Sequence, residues 1–291
     1  MRISNPQRGV YPDLSFTKLD LARYYDEVGE QLLPHLAGRP LTLVRCPDGV
    51  GKACFYQRHL AMGASPGEVK TFKRLRSSKG FYIYIESHEA LITLVQNGAI
   101  EMHTWGATLP DTQLPDRITL DLDPGENLPW RELRRATEMA RTVVEGLDLK
   151  CFLKTTGGKG LHVVVPIARK LGWDEVKEFS RLIAGFLVKA EPGFFTASIS
   201  KSRRPGKVFV DYLRNSETAS AVAAFSARAR PGAGVSTPLH WDELGNDDLR
   251  GGFTVLTVPK RLATLQEDPW AGYATAGKQS ITAAMRRALG A

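Results

Sequence analysis

Two periodicities partition the chain. Alternation with a period of two is clearest in RITLDLD, residues 117–123, where Ile118, Leu120 and Leu122 point one way and Thr119, Asp121 and Asp123 the other. VFVDYL, residues 208–213, repeats the pattern, with Val208 and Val210 opposing Phe209 and Asp211. Apolar runs bounded by turn residues predict further strands at LTLVRCP (41–47), CFYQRH (54–59), FYIYIES (81–87), EMHTW (101–105), CFLKT (151–155), LHVVVP (161–166) and SAVAAFSAR (220–228). Helical spacing links Leu133, Ala136, Ala140, Val143, Val144 and Leu147, and again Val176, Phe179, Leu182, Ile183, Phe186 and Leu187. Near the N-terminus, Thr17 and Asp20 precede Leu21, Tyr24, Tyr25, Val28 and Leu32, which predicts a capped amphipathic helix ending near Pro34. Ser87 caps another, carrying Leu91, Leu94 and Val95 and stopping at Gly98.

Strands outnumber helices and interleave with them irregularly, so the expected class is α+β, with mixed or antiparallel sheets and flanking helices. No long linker interrupts the pattern. The expectation is one catalytic domain over 1–291: an N-terminal element at 1–40, a two-lobed core at 41–230, and a C-terminal extension at 231–291 that packs on it. FTVLTVP precedes a last helical segment within that extension. SPGEVKTFKRLRSSKG, residues 65–80, has five basic residues, one acid and no apolar period, and so reads as a basic loop.

Composition adds bounds. The 291 residues are 43% hydrophobic, enough for a buried core, and carry a net charge of +8. A basic balance suits either a solvated surface or a polyanionic partner, and placement of the charge has to decide. Cys46, Cys54 and Cys151 are an odd count without C-x-x-C spacing, which argues against a disulfide framework or zinc site and for a reducing cytoplasm. The start, MRISNPQRGVYPDLSF, has no apolar segment, and no run approaches a membrane span, so neither signal peptide nor membrane insertion is expected.

The chemistry concentrates in the alternating strands. Asp121 and Asp123 share a face and repel unless a cation lies between them, and Mg²⁺ or Mn²⁺ favours carboxylate oxygens. The plainer alternative is two solvated aspartates. A calcium loop is excluded, because Gly125 stands where Asp or Asn is wanted and Glu126 where glycine is required. Asp211 supplies a third acid, and three such carboxylates are enough for two ions that stabilise both oxygens of a phosphoryl displacement. KTTGGKGLHVVVP is not a P-loop, since it runs from a tight turn into a strand. Its glycine turn can still form an anion-binding concavity, with Lys159 adding charge, Thr156 a hydroxyl and His162 a donor.

Together, LDLDP, TTGGKGLH, FVDYLRN, EMHTW and TKLDLARYY resemble, in order, the archaeo-eukaryotic primase superfamily, and within it the polymerase domain of bacterial ligase D, used in non-homologous end joining. The resemblance runs from ISNPQR to about Arg230 and includes a match to the family's T-S-G-G-K-G-[IL]-H, with Thr156 in place of serine. It implies that Asp121, Asp123 and Asp211 bind metal; that Thr156, Lys159, His162 and Arg228 contact the nucleotide phosphates; and that Arg214 supports the acidic centre. It also implies that Phe55 stacks on the templating region, and that Arg8 and Lys18 hold the 5′-phosphate of a downstream strand. His103 is a weaker nucleotide-site candidate. By default Phe55 is a core residue, Lys18 an exposed first-turn residue, and Arg214 and Arg228 partners of surface acids.

The implied activity is template-dependent addition of NTP or dNTP to gapped or primer-template DNA ends carrying a 5′-phosphate. Two Mn²⁺ or Mg²⁺ ions and a ribonucleotide preference go with it. Ku and a DNA ligase are the implied partners, in a cytoplasmic, nucleoid-associated setting. No K-x-D-G nucleotidyl-lysine motif is present. The rivals are a primase or primase-polymerase in replication or damage tolerance, a metal-dependent nuclease, and a non-catalytic DNA-end binder.

Overall fold

A computed structural model describes residues 2–61, 65–74, 80–246, 249 and 251–290. The chain forms two compact units, and each draws on separate stretches of sequence. The first comprises Met1–Pro110, Ser220–Thr237 and Gly251–Gln266; the second comprises Asp111–Ala219, Pro238–Arg250 and Glu267–Ala291. Strands and helices are mixed in both, as the α+β expectation requires. Among the described residues no helix is long and apolar enough to cross a membrane.

In the first unit, Leu41–Arg45 pairs antiparallel with Ala99–Thr104, Phe55–Gln57 and Phe81–Tyr84. Helices Lys18–Glu27, Gly29–Leu36 and His88–Gln96 supply Leu21, Tyr25, Leu32, Leu91 and Val95 to a core that also holds Leu41, Leu43 and Ile83. Thr17 and Asp20 close the predicted capping box. The single helix expected up to Pro34 is instead two, broken at Val28, and Pro34 lies inside the second. Gly29 opens that second helix, and a Cβ there would stand 2.7 Å from the His88 ring.

Other expectations are also corrected. Cys46 and Cys54 form a disulfide, with Cα atoms 4.3 Å apart. They flank the hairpin turn just outside the Arg45–Phe55 pair, so pairing of the strands brings them together. An odd count is compatible with one bridge and a free, buried Cys151. The basic segment contains a strand, Lys70–Phe72, templated by Phe81–Tyr84; its residues 75–79 lie outside the described ones. Of the strand expected over 220–228 only Ala221–Val222 forms, because Phe225 turns to φ +63°.

In the second unit the described strands run in the order Phe195–Thr196, Val208–Asp211, Arg117–Pro124, Leu161–Pro166, Phe152–Thr155, Pro238–Leu239. The first pair is parallel and the others are antiparallel. Helices Trp130–Glu145 and Trp173–Ala190 pack on the sheet and bury Leu133, Ala136, Ala140, Phe179, Ile183 and Leu187. Phe186, on the predicted stripe, is 40% exposed. Beyond residue 266, Trp270 donates to the Leu153 carbonyl and packs on Phe152 and Val164. Gln279 ties Lys150 to Pro166. These contacts occupy one end of the sheet face whose next row, two residues on, is polar.

Candidate active site

That polar row crosses four strands. Asp211 pairs with Asp121, Asp121 with His162, and His162 with Lys154. A period of two then places Asp123 one step along the same face. Behind it, Ile118, Leu120 and Leu122 are fully buried, which fixes the register that presents the acids. Asp121, Asp211, His162 and Lys154 are themselves buried, and Arg214 supplies the nearest counter-charge. Its Nε lies 3.1 Å from Asp121 Oδ2 and 3.2 Å from Asp211 Oδ2.

The electrostatics of this cluster are unequal. Burial opposes ionisation of Asp121, but His162 and Arg214 outweigh it and hold the carboxyl below its ordinary range. Asp123 is pushed up to about 6 by burial and by the Asp121 charge, with Arg214 offsetting only part. Asp211 is raised by burial, with Arg214 opposing and Asp121 reinforcing. His162 falls to about 4 through burial and the Lys154 charge, so its ring is neutral at pH 7. Its Nε2 is 3.2 Å from Asp121 Oδ1 but off the hydrogen-bonding line, and neither that oxygen nor His162 Nδ1 has a hydrogen-bond partner.

A buried carboxylate oxygen without a donor, beside two carboxyls that resist ionisation, is a site short of positive charge. The donor set is all oxygen, which suits a hard divalent cation. Asp121, Asp123 and Asp211 therefore fit a metal centre in chemistry. Among the described residues no three acidic, histidine or cysteine side chains are already closed into a cage, and Arg214 sits against two of the acids.

The glycine turn adjoins the acids through backbone. A Cβ on Gly160 would stand 2.8 Å from the Leu122 carbonyl and 3.0 Å from Asp123 Oδ1, so only glycine lets the turn approach this closely. Thr156 closes the turn on itself: its hydroxyl donates to the Gly160 carbonyl and accepts from the Gly158 and Gly160 amides. His162 is likewise turned to Asp121. Lys159 is exposed and lines a cleft of about 480 Å³ with Pro124, Gly125, Asn127, Trp130 and Leu133.

Arg204, not singled out from the sequence, lowers both Asp123 and Asp211 and lies 3.7 Å over the Phe209 ring. Gly125 explains how its loop gets there, since a Cβ would overlap the Arg204 carbonyl and the Gly125 amide donates to Lys207.

The remaining candidates belong to the first unit. His103 Nε2 is 2.7 Å from Glu101 Oε2, Arg228 Nε is 3.1 Å from the same oxygen, and Ala229 N–H donates to Oε1. Glu101 is buried, which would raise it, yet His103, Arg228 and the Ala229 amide bring it down to about 2. The sequence did carry a signal for this pair, because Glu101 and His103 are two apart on a strand. Arg228 thus pairs with a buried acid, not a surface one. Phe55 is not core but 46% exposed, with the Arg45 guanidinium 5.4 Å from its ring centre. Lys18 is buried and donates to Ser4 O and Gln96 Oε1; its backbone amide donates to Arg8 O, and burial followed by the Arg8 charge lowers its pKa.

Comparison with known proteins gives a consistent result. A protein-family model described as "LigD, primase-polymerase domain" matches residues 17–270. The multifunctional non-homologous end joining protein LigD of Pseudomonas aeruginosa is 46% identical over all of this chain and 34% of the relative. That of Mycolicibacterium smegmatis is 33% identical over 86% of this chain and 33% of the relative. The chain thus spans about a third of the length of these relatives. Among solved structures, the polymerase domain of Mycobacterium tuberculosis ligase D in complex with DNA superposes with a TM-score of 0.84 at 32% identity, covering 90% of this chain and 94% of that one.

Proposed function

The chain belongs to the LigD primase-polymerase domain family, and from that premise we propose that it is a template-dependent nucleotidyltransferase that fills gaps and extends DNA ends in bacterial-type non-homologous end joining. The observation that carries the reading is the row of acids. Three carboxylates on two adjacent strands lie beside a glycine turn with an exposed lysine, and two of them, Asp123 and Asp211, resist ionisation without a cation.

In the reaction a primer 3′-hydroxyl gives up its proton to solvent, its oxygen bonds to the α-phosphorus of the nucleotide, the bond from that phosphorus to the α,β-bridging oxygen breaks, and pyrophosphate leaves. Asp121, Asp123 and Asp211 would hold two divalent ions, Mn²⁺ or Mg²⁺, which supply Lewis-acid stabilisation of the attacking and leaving oxygens. Lys159 places a mobile charge where the polyphosphate tail would lie, and the Thr156 staple keeps that turn in shape. Arg214 counters the acids' mutual repulsion. In the first unit Arg228 is set by Glu101 with His103 beside it, and the resemblance gives both a nucleotide-contact role. Phe55 offers a stacking face to the template. Arg8 offers charge to a downstream 5′-phosphate.

A ribonucleotide preference, a cytoplasmic nucleoid setting, and cooperation with Ku and a ligase extend the same reading. The test is primer extension on a gapped duplex, with NTP or dNTP and Mn²⁺ or Mg²⁺. Extension that depends on template, on metal and on Asp211 is expected. Hydrolysis of the primer instead would support a nuclease, and extension only from unprimed template a primase. Metal-independent DNA binding without turnover would support an end-binding module.

A further inference from the structure

The strand that carries Asp211 leaves the sheet early. Its ladder with Arg117–Pro124 runs Val208–Pro124, Phe209–Asp123, Val210–Leu122, Asp211–Asp121 and then stops. The chain turns into the 3₁₀ helix Leu213–Asn215, with Leu213 N–H donating to Asp211 Oδ1. Thr119, two residues before Asp121, would be left with a buried amide and carbonyl facing no strand. Leaving such groups unpaired in the interior is costly.

Asn215 takes both. Its Oδ1 accepts from Thr119 N–H at 2.7 Å, and its Nδ2 donates to the Thr119 carbonyl at 3.0 Å. The other Nδ2 hydrogen goes to the Tyr212 carbonyl at 2.9 Å. Asn215 is 2% exposed, so its carboxamide is spent on backbone and stands in for the peptide group of a continuing strand. Because the side chain continues the ladder, the main chain is free to turn. That turn puts Arg214, the residue just before, within reach of both Asp121 and Asp211.

We infer that Asn215 is a positioning residue for the acidic centre. It locks the Asp211–Arg214 turn to the strand of Asp121 and so sets the spacing at which the carboxylates meet a divalent ion. The inference rests on the proposed metal-holding role of the acids and adds a residue outside the ligand set. Removing a group that orients metal ligands weakens metal affinity by about 10–100-fold.

The experiment is Mn²⁺ binding to the whole chain, read by loss of the free-ion paramagnetic resonance signal, with thermal unfolding and DNA binding measured alongside. Asn215→Ala is expected to bind Mn²⁺ at least about tenfold more weakly, with DNA binding retained. Raising Mn²⁺ should restore primer extension in Asn215→Ala but not in Asp121→Ala. Asn215→Ser keeps a buried hydroxyl at the same point and serves if alanine does not fold; it should fall between alanine and the parent. Parental Mn²⁺ affinity in both Asn215 variants, with Asp121→Ala impaired, overturns this assignment alone. Equal binding by Asp121→Ala and the parent overturns the acidic centre and this inference with it.

Discussion

Asp123 shows what a single residue in this cluster has to tolerate. Its carboxyl ionises near pH 6 because burial and Asp121 both oppose the charge. A carboxyl raised in the folded state stabilises the fold while protonated, and that stability is lost as pH rises through about 6. Asp123→Asn is therefore expected to raise the melting temperature of the metal-free protein at pH 7, by the equivalent of about 1–2 kcal/mol after allowance for screening, and to change little near pH 4. The same substitution should abolish nucleotide addition. Equal melting temperatures at pH 7 in the absence of metal would show that the charge is not frustrated. Lys159→Ala should weaken nucleotide use more than DNA binding, because the ammonium is exposed on the turn beside the acids; a nucleotide titration beside a mobility shift separates the two effects. The three acids were legible in the sequence because alternation fixes their face. Arg204 and Asn215 were not singled out, since their importance comes from loops that meet the strands only in the folded unit; Glu101 was passed over although it lies two residues from His103 on one strand.

At the scale of elements, local signals were read well and long-range ones poorly. Thr17, Ser87 and the alternation of residues 117–124 are decided by neighbours within a few positions, and those elements formed. The strand at Lys70–Phe72 and the short strand at Ala221–Val222 each depend on a distant partner, the Phe81–Tyr84 edge and Ala99–Thr104 respectively. The glycine turn combines the two kinds of information. Its composition suggested a phosphate cradle, while its packing shows Gly160 held against the Leu122 carbonyl and Asp123. Gly160→Ala should accordingly cost about 1–3 kcal/mol of stability, as overpacking does, and shift Asp123 enough to lower nucleotide addition. Gly206→Ala offers a contrast, since a Cβ there meets nothing within 4 Å and only its φ of +68° resists substitution. If chemical denaturation finds Gly160→Ala no more destabilised than Gly206→Ala, the close approach is not what the turn requires.

For the whole molecule the question is where an excess of eight positive charges is used. Binding that neutralises phosphates weakens with salt roughly in proportion to the number of contacts, so gapped DNA should be held less tightly as salt rises. A 5′-phosphate adds charge that a 5′-hydroxyl lacks, and the sequence offered Arg8 and Lys18 as its readers. The fold separates their roles. Lys18 spends its ammonium on Ser4 and Gln96 and is buried, so Lys18→Ala should lower stability as well as any phosphate preference. Arg8 is only partly buried, its Nε has no hydrogen-bond partner, and its charge already lowers the pKa of Lys18. An added anion would relieve that repulsion, a gain absent with a hydroxyl end. The expected outcome is tighter binding to gapped DNA with a downstream 5′-phosphate, a preference that Arg8→Ala removes at unchanged melting temperature and that shrinks with salt. Equal binding of both ends by the parent at low salt would detach these residues from the break and leave the acidic row to a polymerase that needs no downstream strand.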